Sequence, residues 1–269
     1  MIDLIVWSKD RACQLDLLLR SIKKNANLFK VSVLYLSSDS HKESYEKVID
    51  EHKDVNFIKE NDFRSDTISL IESCDDVVCF STDDMVFYRE SPYNYEMLKN
   101  FLPSINSVFS FRLGLNTVKQ DIHNNTYQQA LNSFTKITEN IIGWQTRYYN
   151  PVSNYGYPIA LDTHIFPIST ILPLIKRTDW INTNTLEGNL QRYSYIFEYM
   201  YSFDKSVSVN IPVNNMSNFT ESGINHNYSI EYLRDMYMSG KKISLDFSNE
   251  KVVGCHQEMR FEFIDGKNV

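Results

Sequence analysis

Glycine is scarce in this chain, at 8 of 269 residues, and no G-x-G-x-x-G run occurs in the amino-terminal half. Nicotinamide and flavin enzymes use such glycines to bring the backbone close to a pyrophosphate, so redox chemistry of that kind is disfavoured. Cysteine is also sparse. Cys13, Cys74, Cys79 and Cys255 form no CxxC pair and no zinc-ligand spacing. They fit free, buried thiols in a reducing, cytoplasmic compartment, with peripheral attachment to a membrane left open. Positive charge is in deficit: 27 Lys and Arg stand against 34 Asp and Glu, for a net charge of −7. Such a balance argues against a nucleic-acid partner, whose phosphates demand neutralisation. No apolar run approaches the roughly 20 residues that span a bilayer, and the segment from Met1 to Trp7 is too short and too acidic for a signal peptide. Sequons begin at Asn124, Asn215, Asn218 and Asn227, and an Asn-rich chain produces these by chance.

What is present is a core and an order. Apolar residues make up 42% of the chain, enough for a sizeable interior. Ile2 to Trp7 is a short apolar run suited to a buried parallel strand. Asp10 is placed to cap a helix carrying Leu15, Leu18, Leu19 and Ile22, with Lys23 and Lys24 in its last turn. Val31–Leu36 predicts a second strand, 40–52 a helix, Val55–Ile58 a third strand, Thr67–Cys74 a helix and Asp76–Ser81 a fourth strand. Three alternations of strand and helix predict an α/β fold with a parallel, doubly wound sheet. Ligands in such sheets bind beyond the carboxyl ends of the strands.

The later pattern is looser. Strands are expected at Ser107–Phe111, Tyr157–Phe166, Ser206–Pro212 and Lys251–Cys255, and helices at Ile168–Ile175, Leu186–Tyr201 and Ser229–Met238, with 213–228 an Asn-rich loop.

The sharpest chemical signal is Phe80-Ser81-Thr82-Asp83-Asp84-Met85. Two adjacent carboxylates at a strand end repel each other unless a cation or hydrogen bonds compensate. A hard divalent ion, Mn²⁺ or Mg²⁺, supplies such compensation and could bridge the carboxylates and a diphosphate. An Asp-Asp turn that caps a helix is the plainer alternative.

The strand ending in Thr82-Asp83-Asp84 resembles the DxD-type motif of the GT-A class of nucleotide-sugar glycosyltransferases, of the family 2-like kind. The opening, Val6-Trp7-Ser8-Lys9-Asp10-Arg11 followed by Leu15, Leu18, Leu19 and Ile22, resembles that family's first strand and helix. The likeness covers about the first 90 residues, and it departs from the strict motif in having Thr82 two residues before Asp84. It implies a GT-A fold, with a Rossmann-like, mostly parallel sheet flanked by helices and a carboxy-terminal acceptor-binding region. The chain would be a single domain over 1–269, with a donor half at 1–90 and an acceptor half at 91–269.

By the same resemblance, Asp84 would bind the metal directly, and Asp83 would meet the ribose or metal-bound water. Trp7, Ser8 and Arg11 would line the nucleotide pocket, Asp39 would lie near the base or ribose, and Arg64 and Asp66 would flank the nucleotide. His256, after a late strand, would complete the metal site. Glu187, in the first turn of a helix capped by Thr185 or Asn184, would be the general base, with Asp179 in reserve. Asp162 and His164 alternate with apolar residues, so both would point the same way from a strand, on the acceptor side. The implied reaction moves a sugar from a nucleotide donor, UDP-linked first, to a hydroxyl of a glycan or other acceptor, with inversion. A sugar nucleotidyltransferase and a carbohydrate-binding scaffold without turnover are the alternatives. The former lacks its usual Gly-rich, Lys-bearing amino-terminal loop here.

Overall fold

β1 (Ile2–Lys9) lies between β2 (Phe29–Leu36) and β4 (Val77–Thr82), parallel to both. Helices cover both faces of a central parallel strand, which explains why seven successive β1 residues are buried and read as one apolar run. The computed structural model describes residues 1–121, 126–214 and 228–268. The four sequons begin outside those residues, as does most of the Asn-rich stretch.

α1 (Ala12–Asn25) follows β1, α2 (Lys42–Glu51) follows β2, β3 (Asn56–Lys59) comes next, and α3 (Phe63–Glu72) leads to β4. α3 starts earlier than the apolar spacing suggests, because the Asp62 side chain accepts from Ser65 N and caps it. Asp10 does not cap α1. It takes a left-handed φ of 54°, and its carboxylate accepts from Ser38 N at 2.7 Å, tying the ends of β1 and β2 together.

The second half adds β5 (Met85–Phe87), α4 (Tyr95–Leu98), β6 (Ser107–Ser110), β7 (Lys119–Asp121), β8 (Thr126–Tyr127), β9 (Thr135–Lys136), β10 (Ile141–Gln145) and β11 (His164–Pro167). α5 (Ile168–Arg177), α6 (Thr183–Leu190), β12 (Tyr199–Phe203), β13 (Ser208–Asn210), α7 (Ile230–Met238), β14 (Lys241–Ile243) and β15 (Phe263–Asp265) follow. The main sheet runs β3-β2-β1-β4-β11-β6-β12-β10-β9. Its first four strands are parallel. Beyond them β11 pairs antiparallel with β4 and β6, and β12 pairs parallel with β6. One face packs under α1, α2 and α7 through Leu15, Leu18, Tyr45, Val48 and Leu233; the other packs under α3, α5 and α6 through Ile71, Ile171, Ile175 and Leu186.

Three expectations change. The helix expected over Leu186–Tyr201 ends at Leu190. A 3₁₀ stretch covers Gln191–Ile196, and β12 follows, in which Met200 and Ser202 turn inward and Tyr199 and Tyr201 lie half-buried. That period of two suits a strand between β6 and β10. The strand expected over Tyr157–Phe166 begins only at His164, because Thr163 before it has a φ of 55°. The strand expected over Lys251–Cys255 is absent; this stretch makes only isolated bridges, Gly254 with Lys119 and the adjoining His256 with Asn210. Among the described residues no helix is long and apolar enough to cross a membrane.

Candidate active site

β4 ends at Thr82 and β5 begins at Met85, so Asp83 and Asp84 fill the connection at the carboxyl edge of the sheet. Their side chains part. Asp83 turns towards β1: its Oδ2 accepts from Ser8 Oγ at 2.8 Å and Lys9 N at 3.3 Å, and its Oδ1 from Arg11 Nη1 at 3.0 Å. Asp84 Oδ1 accepts from Thr82 Oγ1 at 2.6 Å and Asn210 Nδ2 at 2.9 Å, and Oδ2 accepts from Arg11 Nη1 at 3.1 Å. Arg11 also donates through Nη2 to the Asn214 carbonyl, while its buried Nε has no partner among the described residues. Burial, resisted by Arg11, pushes the Asp83 carboxyl up to about 6. One guanidinium therefore faces two carboxylates, and a negative charge is left over.

A cavity of about 430 Å³ opens above this pair. Strand alternation builds its floor. Trp7 and Leu34 are register partners on adjacent strands, and Leu36, two residues beyond Leu34, lies on the same face. Phe63 of α3 closes one side, and Trp7 Nε1 donates to Thr67 Oγ1 at 3.1 Å. Asn182, Thr183 and Asn184, at the start of α6, also line it, with Pro212 and Asn214. Asn182 is the cap of α6, in a reciprocal box with Thr185; Thr185 and Asn184 are not the cap residue itself.

Behind Thr82 lies a second group of charges. The Thr82 hydroxyl is 3.3 Å from Asp162 Oδ1, while Asp162 Oδ2 accepts from Arg112 Nη1 at 3.1 Å and lies 3.4 Å from His256 Nε2. Burial would raise the Asp162 carboxyl, but the His256 hydrogen bond and the Arg112 charge prevail and hold it at about 2. Glu187 sits deeper. Its Oε1 accepts from Tyr157 Oη at 2.9 Å and its Oε2 from Leu161 N at 2.8 Å, and burial, then the Asp162 charge, raises its pKa. His164 Nδ1 lies 2.9 Å from the Pro158 carbonyl, and burial lowers its pKa to about 3. Its hydrogen-bond partner differs from those of Asp162, but both residues feel the Arg112 charge and each other's.

Of the residues expected at a nucleotide, Trp7, Ser8, Arg11, Asp83 and Asp84 line the cavity, and Asp39, Arg64 and Asp66 do not. Asp39 opens a short 3₁₀ turn. Arg64 donates to the Thr178 and Lys176 carbonyls and lies over Trp180, and Asp66 accepts from Asn61 N and Asp62 N. Asp179 is exposed between α5 and α6, away from the cavity. His256 reaches Asp162 and not the Asp pair. Among the described residues, one group of three His, Cys, Asp or Glu side chains has ligand atoms within 4.8 Å of one another: Asp16, Glu51 and His52, on the far side of α1. Arg20 and Lys242 already neutralise that group. Lys9, Glu60, Phe63 and Arg112 were not singled out from the sequence. The strand alternation around Trp7 and Leu34 signals the cavity floor, but no motif marks Arg112.

No family model matches the chain. A search of curated proteins finds the bifunctional glycosyltransferase pgtA of Dictyostelium discoideum, 32% identical over 201 residues. The match takes in 65% of this chain and 25% of that protein, so the chain spans about a quarter of its relative's length. This chain resembles a glycosyltransferase. Among solved structures, S. aureus TarS 1-349 in complex with UDP aligns over 77% of this chain and 60% of its own, at 14% identity and a TM-score of 0.45. The 4-diphosphocytidyl-2C-methyl-D-erythritol synthase of Anaerococcus prevotii aligns over 88% and 96%, at 10% identity and a TM-score of 0.35.

Proposed function

We propose that this chain transfers a sugar from a nucleoside-diphosphate donor, UDP-linked first and GDP-linked second, to a hydroxyl of a glycan or other acceptor. The observation that carries the reading is the Asp83–Asp84 pair at the carboxyl end of β4, on the wall of a cavity with an apolar floor. The likeness to pgtA supports it. Residues 1–90 would form most of the donor site, and 91–269 the acceptor side, with Asn182–Asn184 and Asn214 reaching back to the donor.

The donor set fits a hard divalent cation, Mn²⁺ or Mg²⁺, because the two carboxylates outnumber Arg11 by one charge. Asp84 would hold it, because its side chain is the more open of the two, 14% exposed against 4% for Asp83. Such an ion would supply positive charge to offset a leaving diphosphate. Asp83, bonded to Ser8, Lys9 N and Arg11, fixes the end of β1 against β4. Arg11 presents a cation beside Asp84. Asp162, ionised and joined to Asp84 through the Thr82 hydroxyl, would take a proton from an acceptor hydroxyl. Glu187, which bonds Tyr157 and Leu161 N and not Thr82, is the second candidate. A base acting opposite the leaving group implies inversion.

UDP-glucose, UDP-N-acetylglucosamine and GDP-mannose hydrolysis, assayed with Mn²⁺ and after chelation, tests the reading. The expected result is slow, ion-dependent release of the nucleoside diphosphate, lost in Asp84→Asn. Release that ignores both the ion and the substitution would refute the ion's role, and no release from any donor would favour a scaffold.

A further inference from the structure

One acidic side chain that lines the cavity has no hydrogen-bond or ion-pair partner among the described residues. Glu60 follows β3, is half-buried, and lines the cavity with Leu34, Leu36, Phe63 and Trp7. Its main-chain N–H is spent on the Tyr35 carbonyl at 2.8 Å. Its carboxylate makes no hydrogen bond or ion pair among the described residues. Other acids near this sheet edge are engaged: Asp10 by Ser38 N, Asp62 by Ser65 N, Asp66 by Asn61 N and Asp62 N. A carboxylate at the mouth of an apolar slot, without a partner, is set to receive a donor from a ligand.

Register shows what it faces. Trp7, Leu34 and Ile58 form one row across β1, β2 and β3. Two residues further, on the same face, come Lys9, paired with Leu36, and then Glu60. An aromatic and aliphatic floor thus ends in a row that has an ammonium at one end and a carboxylate at the other. The Asp83–Asp84 pair lies beyond β1, on the side away from β3. With a diphosphate near Arg11 and Asp84, the flat apolar end of the ligand falls on this floor, and its polar edge meets Glu60.

We propose that Glu60 selects the base of the donor nucleotide by accepting a hydrogen bond from a ring N–H. The inference rests on the cavity being a nucleotide-sugar site. An ionised carboxylate only accepts; burial raises the Glu60 pKa, Asp62 and Asp66 add to that, and the neighbouring Lys9 charge opposes it. Uracil offers N3–H and guanine N1–H, each beside a ring carbonyl. Cytosine N3 and adenine N1 carry a lone pair at the corresponding place, which an ionised carboxylate repels. Aimed at that ring position, the residue therefore favours the lactam bases, uracil and guanine, over cytosine and adenine, whose donors are the exocyclic amines. A site that hydrogen-bonds a ligand N–H discriminates strongly against an analogue lacking it.

Calorimetric titration with UDP, CDP, GDP and ADP in the presence of Mn²⁺ tests this on the full chain, comparing bases of equal size. A hydrogen bond to a charged group corresponds to roughly 10- to 100-fold in affinity. The expected result is UDP over CDP, or GDP over ADP, by that factor, and whichever pair shows it separates uracil from guanine. In Glu60→Gln, whose amide both donates and accepts, the ratio should collapse towards unity with an unchanged melting temperature. Asp39→Asn should leave it intact. Equal wild-type affinities within each pair, an unchanged ratio in Glu60→Gln, or a ratio that moves with Asp39→Asn would each overturn the assignment to Glu60. Absence of binding by all four nucleotides would overturn the nucleotide-sugar reading itself.

Discussion

Asp162 and Glu187 share a neighbourhood but not an environment. Asp162 is held ionised beside Thr82 and Arg112, whereas the Glu187 carboxyl is pushed up and committed to Tyr157 and Leu161 N. In transfer assays at saturating donor and acceptor, Asp162→Asn should cost about 10²–10⁴-fold in kcat and leave UDP binding intact. Glu187→Gln should cost far less. The reverse order would give the base role to Glu187, and a melting temperature measured on both variants separates lost chemistry from lost packing around Arg112. At this scale the Asp83–Asp84 pair was legible, because adjacent anions between apolar segments need compensation that few folds supply by accident. Its compensator, Arg11, was readable only as a pocket residue. Arg112 and Glu60 left no trace, since the partner of the first lies 50 residues away and the carboxylate of the second has none among the described residues. Arg64 and Asp66 are engaged away from the cavity lining, Arg64 by the Thr178 and Lys176 carbonyls 114 and 112 residues on and Asp66 by Asn61 N and Asp62 N, and in sequence such a bond looks the same as a ligand contact.

At the level of elements, legibility follows the periodicity of burial. β1, β2 and β4 are covered on both faces, read as continuous apolar runs, and sit close to where those runs place them. β12 and β11 were obscured because Tyr-rich alternation and a left-handed residue at Thr163 interrupt any single period. The β10–β12 pairing carries a local constraint that composition does not show. Gly143 stands opposite Tyr201, and a Cβ there would lie 2.6 Å from the tyrosine ring. Gly143→Ala should therefore destabilise by about 1–3 kcal/mol through overpacking, seen as a lower midpoint in urea. Contacting residues couple, so in a Tyr201→Ala background the same substitution should be nearly harmless. Equal losses in both backgrounds would place the strain elsewhere.

The whole molecule is tied from beginning to end by charges that lie far from the cavity. Asp16 of α1 accepts from Arg20 Nε at 2.8 Å and Lys242 Nζ at 3.1 Å, and its Oδ1 lies 3.0 Å from His52 Nε2. Arg20 Nη2 also donates to the Ile243 carbonyl, and Lys242 and Tyr237 Oη both donate to Glu51. Helices α1 and α2 are thereby joined to α7 and to β14 by bonds that span 186 to 226 residues of the chain. Burial alone would raise the Asp16 carboxyl, but the His52 hydrogen bond and the Arg20 and Lys242 charges lower it from 3.8 to about 2. A carboxylate with a depressed folded-state pKa stabilises the fold at pH values above its unfolded pKa, and that stability is lost as pH falls through the folded one. Asp16 should thus contribute about 2 kcal/mol that is present above pH ~4 and gone near pH ~2. Asp16→Asn leaves Arg20 and Lys242 short of a counter-charge and should cost about 3 kcal/mol at neutral pH. Urea unfolding of both proteins from neutral pH downwards gives the test: the gap between them should hold at neutral pH and narrow as the medium is acidified below ~4. Parallel curves throughout would mean that Asp16 is as easily protonated in the folded chain as in the unfolded one, and that packing alone holds the two ends together.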